Sequence, residues 1–425
     1  MNSNPIPTLT PGEFQPRRKV LFASAHSVVD FSSGAAVATL DALQGLAADG
    51  FECRAFCTSR LDLPGNAGLE KVIAGWGGPE LAGSPHGGPG RGRAVQLRRD
   101  RVPVTVVRVE SSPTVEEVRA VLEPFRASLD ADPPDVMLTY GGDPITQGMI
   151  DLAARRGIAV VFAIHNFSYT DRGPFRGVDH CVVPSRFALR YYRDVLGLVC
   201  QVLPSPVDWD RVRVENREPR FVTFVNPVPE KGVYPFVRIA HELGRRRPDI
   251  RLLVVESRGT RAALAACGLG RDGEVNVQIM ANTADPRHFW RQTRIALVPS
   301  LWWESQGLVA VEAMINGIPT IASDRGALPE TLGGAGIVLP LPDRITTATR
   351  VVPTAEEMEP WVEAIVRLWD DRAWYEEQSR QCRQEARRWH PDRLRPLYAG
   401  FFGSVGQRTG NELTPLFLAD TTFLL

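Results

Sequence analysis

Short apolar runs alternate with longer amphipathic segments along this chain. "RKVLFASA" (18–25) is a continuous apolar run behind basic residues, the pattern of a strand buried on both faces. "SSGAAVATLDALQGLAADG" (32–50) follows, a glycine-containing turn opening into a helix that stops at Gly50, and "FECRAFCT" (51–58) is the next strand. The alternation continues through strands at 102–109, 135–140 and 158–166 and helices at 114–129 and 144–157. Two short strands, "DHCVVPS" and "QVLPSPVD", then flank the helix "RFALRYYRDVLG". After a Pro-rich join near 204–218 a second series begins. Its strands are "RFVTFVN" (220–226), "IRLLVVES" (250–257), "VNVQIMAN", "IALVPS" (295–300) and "PTIAS" (319–323), separated by helices, with a long helical region over about 354–389. Strand–helix alternation of this kind predicts parallel sheets covered on both faces.

The predicted architecture is α/β, two doubly wound, Rossmann-like domains facing a cleft. Residues 1–18 are expected as a flexible leader, 19–212 and 213–385 as the two domains, and 386–425 as a segment crossing back to the first. The length, 425 residues, is too great for one typical core and agrees with two. The Gly/Pro-rich stretch 75–93 and the Arg-rich "RGRAVQLRRDR" (91–101) read as loops, the latter solvated. The apolar tail "TPLFLADTTFLL" is expected to dock onto a domain.

Formal net charge is zero, which argues against a general nucleic-acid partner. The six cysteines are scattered with no C-x-x-C pair, so no disulfide scaffold or zinc site is expected and a reducing, cytoplasmic setting fits. The leader has no apolar core of a secretory signal, and no run is long enough to span a bilayer. Of 49 cationic residues only three are lysine: Lys19, Lys71 and Lys231.

Chemistry concentrates in "SLWWESQGLVAVEAMINGIPTIAS" (300–323). "IALVPS" is a strand, so Glu304 lies in the loop beyond its carboxyl edge. The helix is expected to start near Gln306–Gly307, leaving free N–H groups at Gly307, Leu308 and Val309, an anion site by geometry and dipole. Glu304 and Glu312, about 12 Å apart if joined by helix, would flank a diphosphate and hold a hydroxylated ring each. Taken singly, Glu304 reads better as a helix cap and Glu312 as a solvated face residue; together, and with the segment that follows, they favour a binding site.

The segment resembles the nucleotide-sugar site of retaining glycosyltransferases of family 4, with the GT-B fold and the mark E-x7-E, here Glu304-SQGLVAV-Glu312. The resemblance implies transfer of a sugar from a nucleoside-diphosphate sugar to an acceptor hydroxyl, with same-face departure and attack. Glu304 would hold the donor sugar and Glu312 the ribose. In "FVNPVPEKG" (224–232) Lys231-Gly232 matches the family's diphosphate-gripping lysine, whereas Asn226 stands where the family has arginine. Arg258 and Arg325 are candidates to compensate. Gly34, in "SSGAAVATL", matches the glycine loop over the diphosphate. His165, in "FAIHN", matches a histidine contacting the donor sugar near the reacting carbon. His26 is a weaker cleft candidate, and the remaining histidines read as structural or exposed. Catalytic roles thus fall to His165, Lys231 and Glu304. Donor binding falls to Gly34, Asn226, Lys231, Glu304, Gly307, Leu308, Val309 and Glu312. The resemblance implies no metal and no cofactor beyond the sugar-nucleotide substrate, a glycan, lipid-linked or small-molecule acceptor, and a cytoplasmic enzyme of glycan assembly, with peripheral contact at the inner membrane face left open. A GT-B nucleotide-sugar epimerase and a non-catalytic sugar-nucleotide-binding protein are the alternatives; the first would lack E-x7-E, and the second is kept open by Asn226.

Overall fold

The computed structural model describes residues 18–62, 69, 72, 94–109, 114–269, 276–406 and 416. Residues 1–17 of the predicted leader and the 75–93 loop lie outside the described residues, as does most of the tail.

The first sheet contains β1 (Lys19–His26), β2 (Glu52–Arg60), β3 (Ala94–Arg99), β4 (Val102–Val107), β5 (Val136–Thr139), β6 (Ala159–Ala163), β7 (His180–Val183) and β8 (Cys200–Val202), in the spatial order β3-β4-β2-β1-β5-β6-β7-β8. Around it pack α1 (Gly34–Ala48), α2 (Val115–Ala131), α3 (Pro144–Ala154) and α4 (Arg186–Leu196). Two apolar clusters cover its two faces, one around Phe22 and Leu43, the other around Phe125 and Phe162. All its pairings are parallel except the β3–β4 hairpin. That hairpin corrects the expected loop over 91–101. From Ala94 the stretch alternates with period two around one buried residue, Leu97, and Arg98 and Arg99 belong to an edge strand, where charge blocks pairing with other chains.

The short α5 (Trp209–Val212) leads into the second sheet. This holds β9 (Phe221–Val225), β10 (Leu252–Val255), β11 (Val277–Met280), β12 (Thr293–Val298), β13 (Thr320–Ser323) and β14 (Ile337–Leu339), ordered β11-β10-β9-β12-β13-β14 and parallel throughout. Its helices are α6 (Val233–Arg246), α7 (Arg261–Ala266), α8 (Arg287–Trp290), α9 (Leu308–Ile315) and α10 (Leu328–Leu332). The expected long helix over 354–389 is interrupted. α11 (Ala355–Asp370) ends at Asp371, whose carboxylate accepts from the Trp374 N–H and starts α12 (Arg372–Ala386). Finally α13 (Pro391–Ser404) returns to the first sheet. Phe401 and Phe402 enter its core, and Arg395 pairs with Asp49 at the end of α1. From the tail, Leu416 packs against the same domain and its carbonyl accepts from the Val199 N–H at 2.8 Å.

In each sheet the strand order reverses beside the strand that opens the domain, at β1 in the first and β9 in the second. Ligands of parallel sheets bind beyond strand carboxyl ends at such switch points. The loops after β1, β9 and β12 therefore define where to look.

Candidate active site

β9 delivers Asn226 and the turn Pro229–Lys231. Asn226 has φ of 63°, a left-handed conformation asparagine tolerates better than most residues. Gly232 follows at φ 89°, and a Cβ there would lie 1.8 Å from the Pro299 carbonyl oxygen. Only glycine lets this turn press against the end of β12, and the Glu230 carbonyl accepts from the N–H groups of Leu301 and Trp302 across the contact. The result is that Lys231 meets Glu304. Its Nζ donates to Glu304 Oε1 at 2.6 Å, and Ser300 Oγ donates to the same oxygen at 2.6 Å. Both bonds fall on Oε1, so Oε2 is the oxygen left to accept from a bound hydroxyl. The Glu304 backbone is itself fixed by a bridge to Gly326.

Beyond Glu304 the chain turns at Gly307 (φ 83°) into α9. A Cβ on Gly307 would come within 2.6 Å of Leu328, another close approach that needs glycine. The helix begins at Leu308, so residues 304–307 are not helical. The expected 12 Å helical rise between the glutamates is thereby corrected: only 308–312 is helix, a rise of about 6 Å. α9 starts with no side-chain cap, and so does α1 at Ser33. The starts of α6, α8 and α10 likewise have no side-chain cap, whereas α2, α3, α4, α5, α7, α11, α12 and α13 are each capped by a side chain. The first-turn amides of α9 and α1 thus have no helical partner and carry the positive ends of two dipoles. They face one another: a Cβ on Gly34 would lie 3.6 Å from Leu308 Cδ1.

Glu312 sits one turn into α9 on the same cleft. Its Oε2 accepts from Trp290 Nε1 at 3.0 Å. Burial raises its pKa, opposed by the nearby Arg211 guanidinium and by the Trp290 bond. Arg211, from the segment joining the domains, donates to Asp41 Oδ2 at 3.3 Å. Burial lifts the Asp41 carboxyl to about 6 against the pull of Arg211.

The opposite wall carries His165, just past β6. Burial pushes its pKa down to about 4, so the ring is neutral at neutral pH. Its Nε2 is buried without a protein partner, its ring lies edge-on to Tyr140, and it lines the cleft. Its carbonyl accepts from Ser305 Oγ of the other domain at 2.7 Å. Two more contacts cross the boundary. Gln306 both accepts from Ser205 N–H (2.7 Å) and donates to its carbonyl (3.1 Å). Glu330 accepts from the Arg186 and Phe187 N–H groups at 2.9 and 3.0 Å, at the start of α4.

Gly34, His165, Asn226, Lys231, Glu304, Gly307, Leu308, Val309 and Glu312 all line one cleft of about 390 Å³. Arg258 joins them, but Arg325 turns away, donating to the Leu341 carbonyl at 3.2 Å beside Asp343. Asn226 uses its side-chain oxygen within the protein: its Oδ1 accepts from the Gly259 N–H at 2.9 Å. Arg211, Ser300, Ser305 and Gln306 line the same cleft and were not foreseen. Only the place of the last three beside Glu304 hinted at them.

Comparison with known proteins places the chain in a family. Residues 33–204 match the family model "Glycosyl transferase 4-like domain" and 219–371 match "Glycosyl transferases group 1". The chain belongs to this glycosyltransferase family, of GT4 type with the GT-B fold. It is 28% identical over 186 residues to a phosphatidyl-myo-inositol mannosyltransferase of Mycolicibacterium smegmatis, covering 41% of this chain and 48% of that protein. It is 25% identical over 217 residues to a GDP-mannose-dependent monoacylated alpha-(1-6)-phosphatidylinositol monomannoside mannosyltransferase of Corynebacterium glutamicum, covering 46% and 54%. The matched stretch thus spans about half the length of these curated relatives. Among solved structures, sucrose-phosphate synthase from Thermosynechococcus elongatus superposes with a TM-score of 0.61 at 16% identity, over 91% of this chain and 100% of that one. The pneumococcal O-GlcNAc transferase in complex with UDP and GlcNAc does so at 0.64 and 12%, over 92% and 99%. At these identities the structures speak for the fold.

Proposed function

We propose that this chain transfers a hexosyl group from a nucleoside-diphosphate sugar to an acceptor hydroxyl with retention at the anomeric carbon. The observation that carries the reading is the Lys231–Glu304 contact at the uncapped start of α9, across the cleft from His165. Lys231 and the amides of Gly307, Leu308 and Val309 meet the charge that develops on the departing diphosphate. Glu304 Oε2 holds donor-sugar hydroxyls and Glu312 the ribose. The C1–O bond to the diphosphate breaks, the acceptor oxygen bonds C1 from the same face, and the acceptor proton passes to the departing phosphate oxygen. The neutral His165 ring stands beside C1, where a cationic ring would oppose positive charge building on the sugar. Positioning supplies the remainder, with no metal called for.

The names of the two mannosyltransferase relatives favour GDP-mannose as donor and a polyol on a lipid headgroup as acceptor. Such an acceptor would bring the chain to a membrane surface as a peripheral protein. No helix among the described residues is long and apolar enough to cross one. The test is release of nucleoside diphosphate from a panel of sugar nucleotides, GDP-mannose first, with wild type, Lys231→Ala and Glu304→Ala. Wild-type turnover lost in both variants is expected. Undiminished turnover in both would remove the assignment.

A further inference from the structure

Among the described residues, three cationic side chains other than histidine line the cleft: Arg211, Lys231 and Arg258. Lys231 is held by Glu304 and Arg211 by Asp41. Arg258 is exposed and has no carboxylate partner among the described residues, although the chain carries as many acidic as basic residues. The nearest acid in sequence, Glu256, already accepts from the Arg261 N–H at 2.7 Å.

The turn bearing Arg258 is pinned. β9 and β10 are parallel neighbours ending at the paired residues Val225 and Val255, so the loops that follow them adjoin. Asn226 spans the two. Its N–H donates to the Val255 carbonyl at 2.8 Å, and its Oδ1 accepts from Gly259 N–H at 2.9 Å. Within the turn the Ser257 N–H donates to the Gly259 carbonyl at 3.0 Å. Gly259 lies so close to Pro227 that a Cβ would fall 2.3 Å from its carbonyl oxygen. A long, unpaired guanidinium at the tip of a turn held this firmly is placed for a ligand. Asn226 spends its side-chain oxygen on that turn.

We propose that Arg258 is the second cation of the diphosphate subsite, opposite Lys231, and that Asn226 is the strap that keeps it there. This rests on the reading that the cleft takes a nucleoside diphosphate. The guanidinium offers a planar fork of donors suited to two phosphate oxygens, where the Lys231 ammonium acts as a point charge. Asn226 is accordingly a positioning residue, acting through Arg258.

The test is titration calorimetry of the full chain with GDP and UDP, and separately with guanosine and uridine. Arg258→Ala is expected to weaken diphosphate binding about 10- to 30-fold with nucleoside binding unchanged, and Arg258→Lys to recover part of the loss. Asn226→Gly keeps the left-handed backbone at no steric cost while cutting the strap. It is expected to weaken diphosphate binding about 3- to 10-fold, and the double variant to bind no worse than Arg258→Ala alone. Diphosphate binding unchanged in Arg258→Ala, an equal loss for nucleoside and diphosphate, or additive effects of the two positions would each overturn the proposal. A wild-type chain that binds neither diphosphate would sink the donor reading itself, and this with it.

Discussion

On the C-terminal wall of the cleft, the loops after β9, β10 and β12 crowd charge together: Lys231, Arg258, Glu304, and Glu312 a turn further on. On the N-terminal wall, Ser32, Ser33, Gly34, His165 and Asn166 face it, with Asp62 the single carboxylate among the described lining residues. Both walls are the carboxyl edges of parallel sheets, so the fold does not account for the contrast. What differs is the work proposed for each. A leaving diphosphate needs fixed positive partners, and the carboxylates beside them need cations or hydrogen bonds of their own, as Glu304 has from Lys231 and Ser300. An attacking hydroxyl needs an uncharged, partly dry approach, which burial provides by keeping His165 neutral.

The contrast is broken most directly by one substitution on each wall. Glu304→Gln keeps the shape of the loop but removes the charge that Lys231 and Ser300 bind. It is expected to lower kcat/KM by about a hundred- to a thousand-fold. His165→Ala is expected to cost less, about 10- to 100-fold and mostly in kcat. Steady-state kinetics on both, with circular dichroism to confirm folding, decides it; a reversed order would mean that the walls have been assigned the wrong way round.

A smaller effect concerns stability. The folded pKa of His165, about 4, lies below the ordinary value of 6.5, so between these limits the unfolded chain binds the extra proton. Stability contributed through His165 is present above pH 6.5 and lost as pH falls towards 4. Asp41 acts in the opposite sense: its raised carboxyl favours the neutral form, so stability falls as pH rises from the ordinary 3.8 towards 6. The difference in melting temperature between wild type and His165→Gln should therefore shift in favour of the variant on going from about pH 7 to about pH 4.5. No change in that difference would mean the ring is solvated.

The smallest effect is expected for Gly34→Ala. A methyl added there would meet Leu308 Cδ1 at an ordinary van der Waals distance of 3.6 Å. Gly34→Ala should keep kcat/KM within about twofold, while Gly34→Leu, reaching towards α9, should block donor binding. Equal activity in both would show that the start of α1 stands clear of the donor.

Much of this could be read from residue patterns. The strand–helix alternation marked both sheets because strands buried on both faces are apolar throughout. Lys231 and Glu304 were visible because a glycine-bearing turn after an apolar strand is a local signal. Less was visible where the determining partner is distant in sequence. Arg211 lies in an ordinary stretch, "DWDRV", and gains its place only when α1 brings Asp41 to it. Glu312 draws Trp290 from a different helix. Asn226 read as a missing charge, because its bond to Gly259 depends on two strands lying side by side. β3 was missed because an edge strand facing solvent buries a single residue, and so looks like a loop.

The bare starts of α1 and α9 have one more consequence. Elsewhere among the described residues, eight helices close their first turn with the side chain of the residue that precedes them, while α6, α8 and α10 do not. At the cleft the first turns of α1 and α9 have no such side-chain partner. If the donor binds as proposed, its diphosphate supplies partners to both first turns, so occupancy and folding stability become one linked equilibrium. The substrate is then also a late-arriving part of the scaffold, and each turnover, by releasing the diphosphate, returns the molecule to its less finished form.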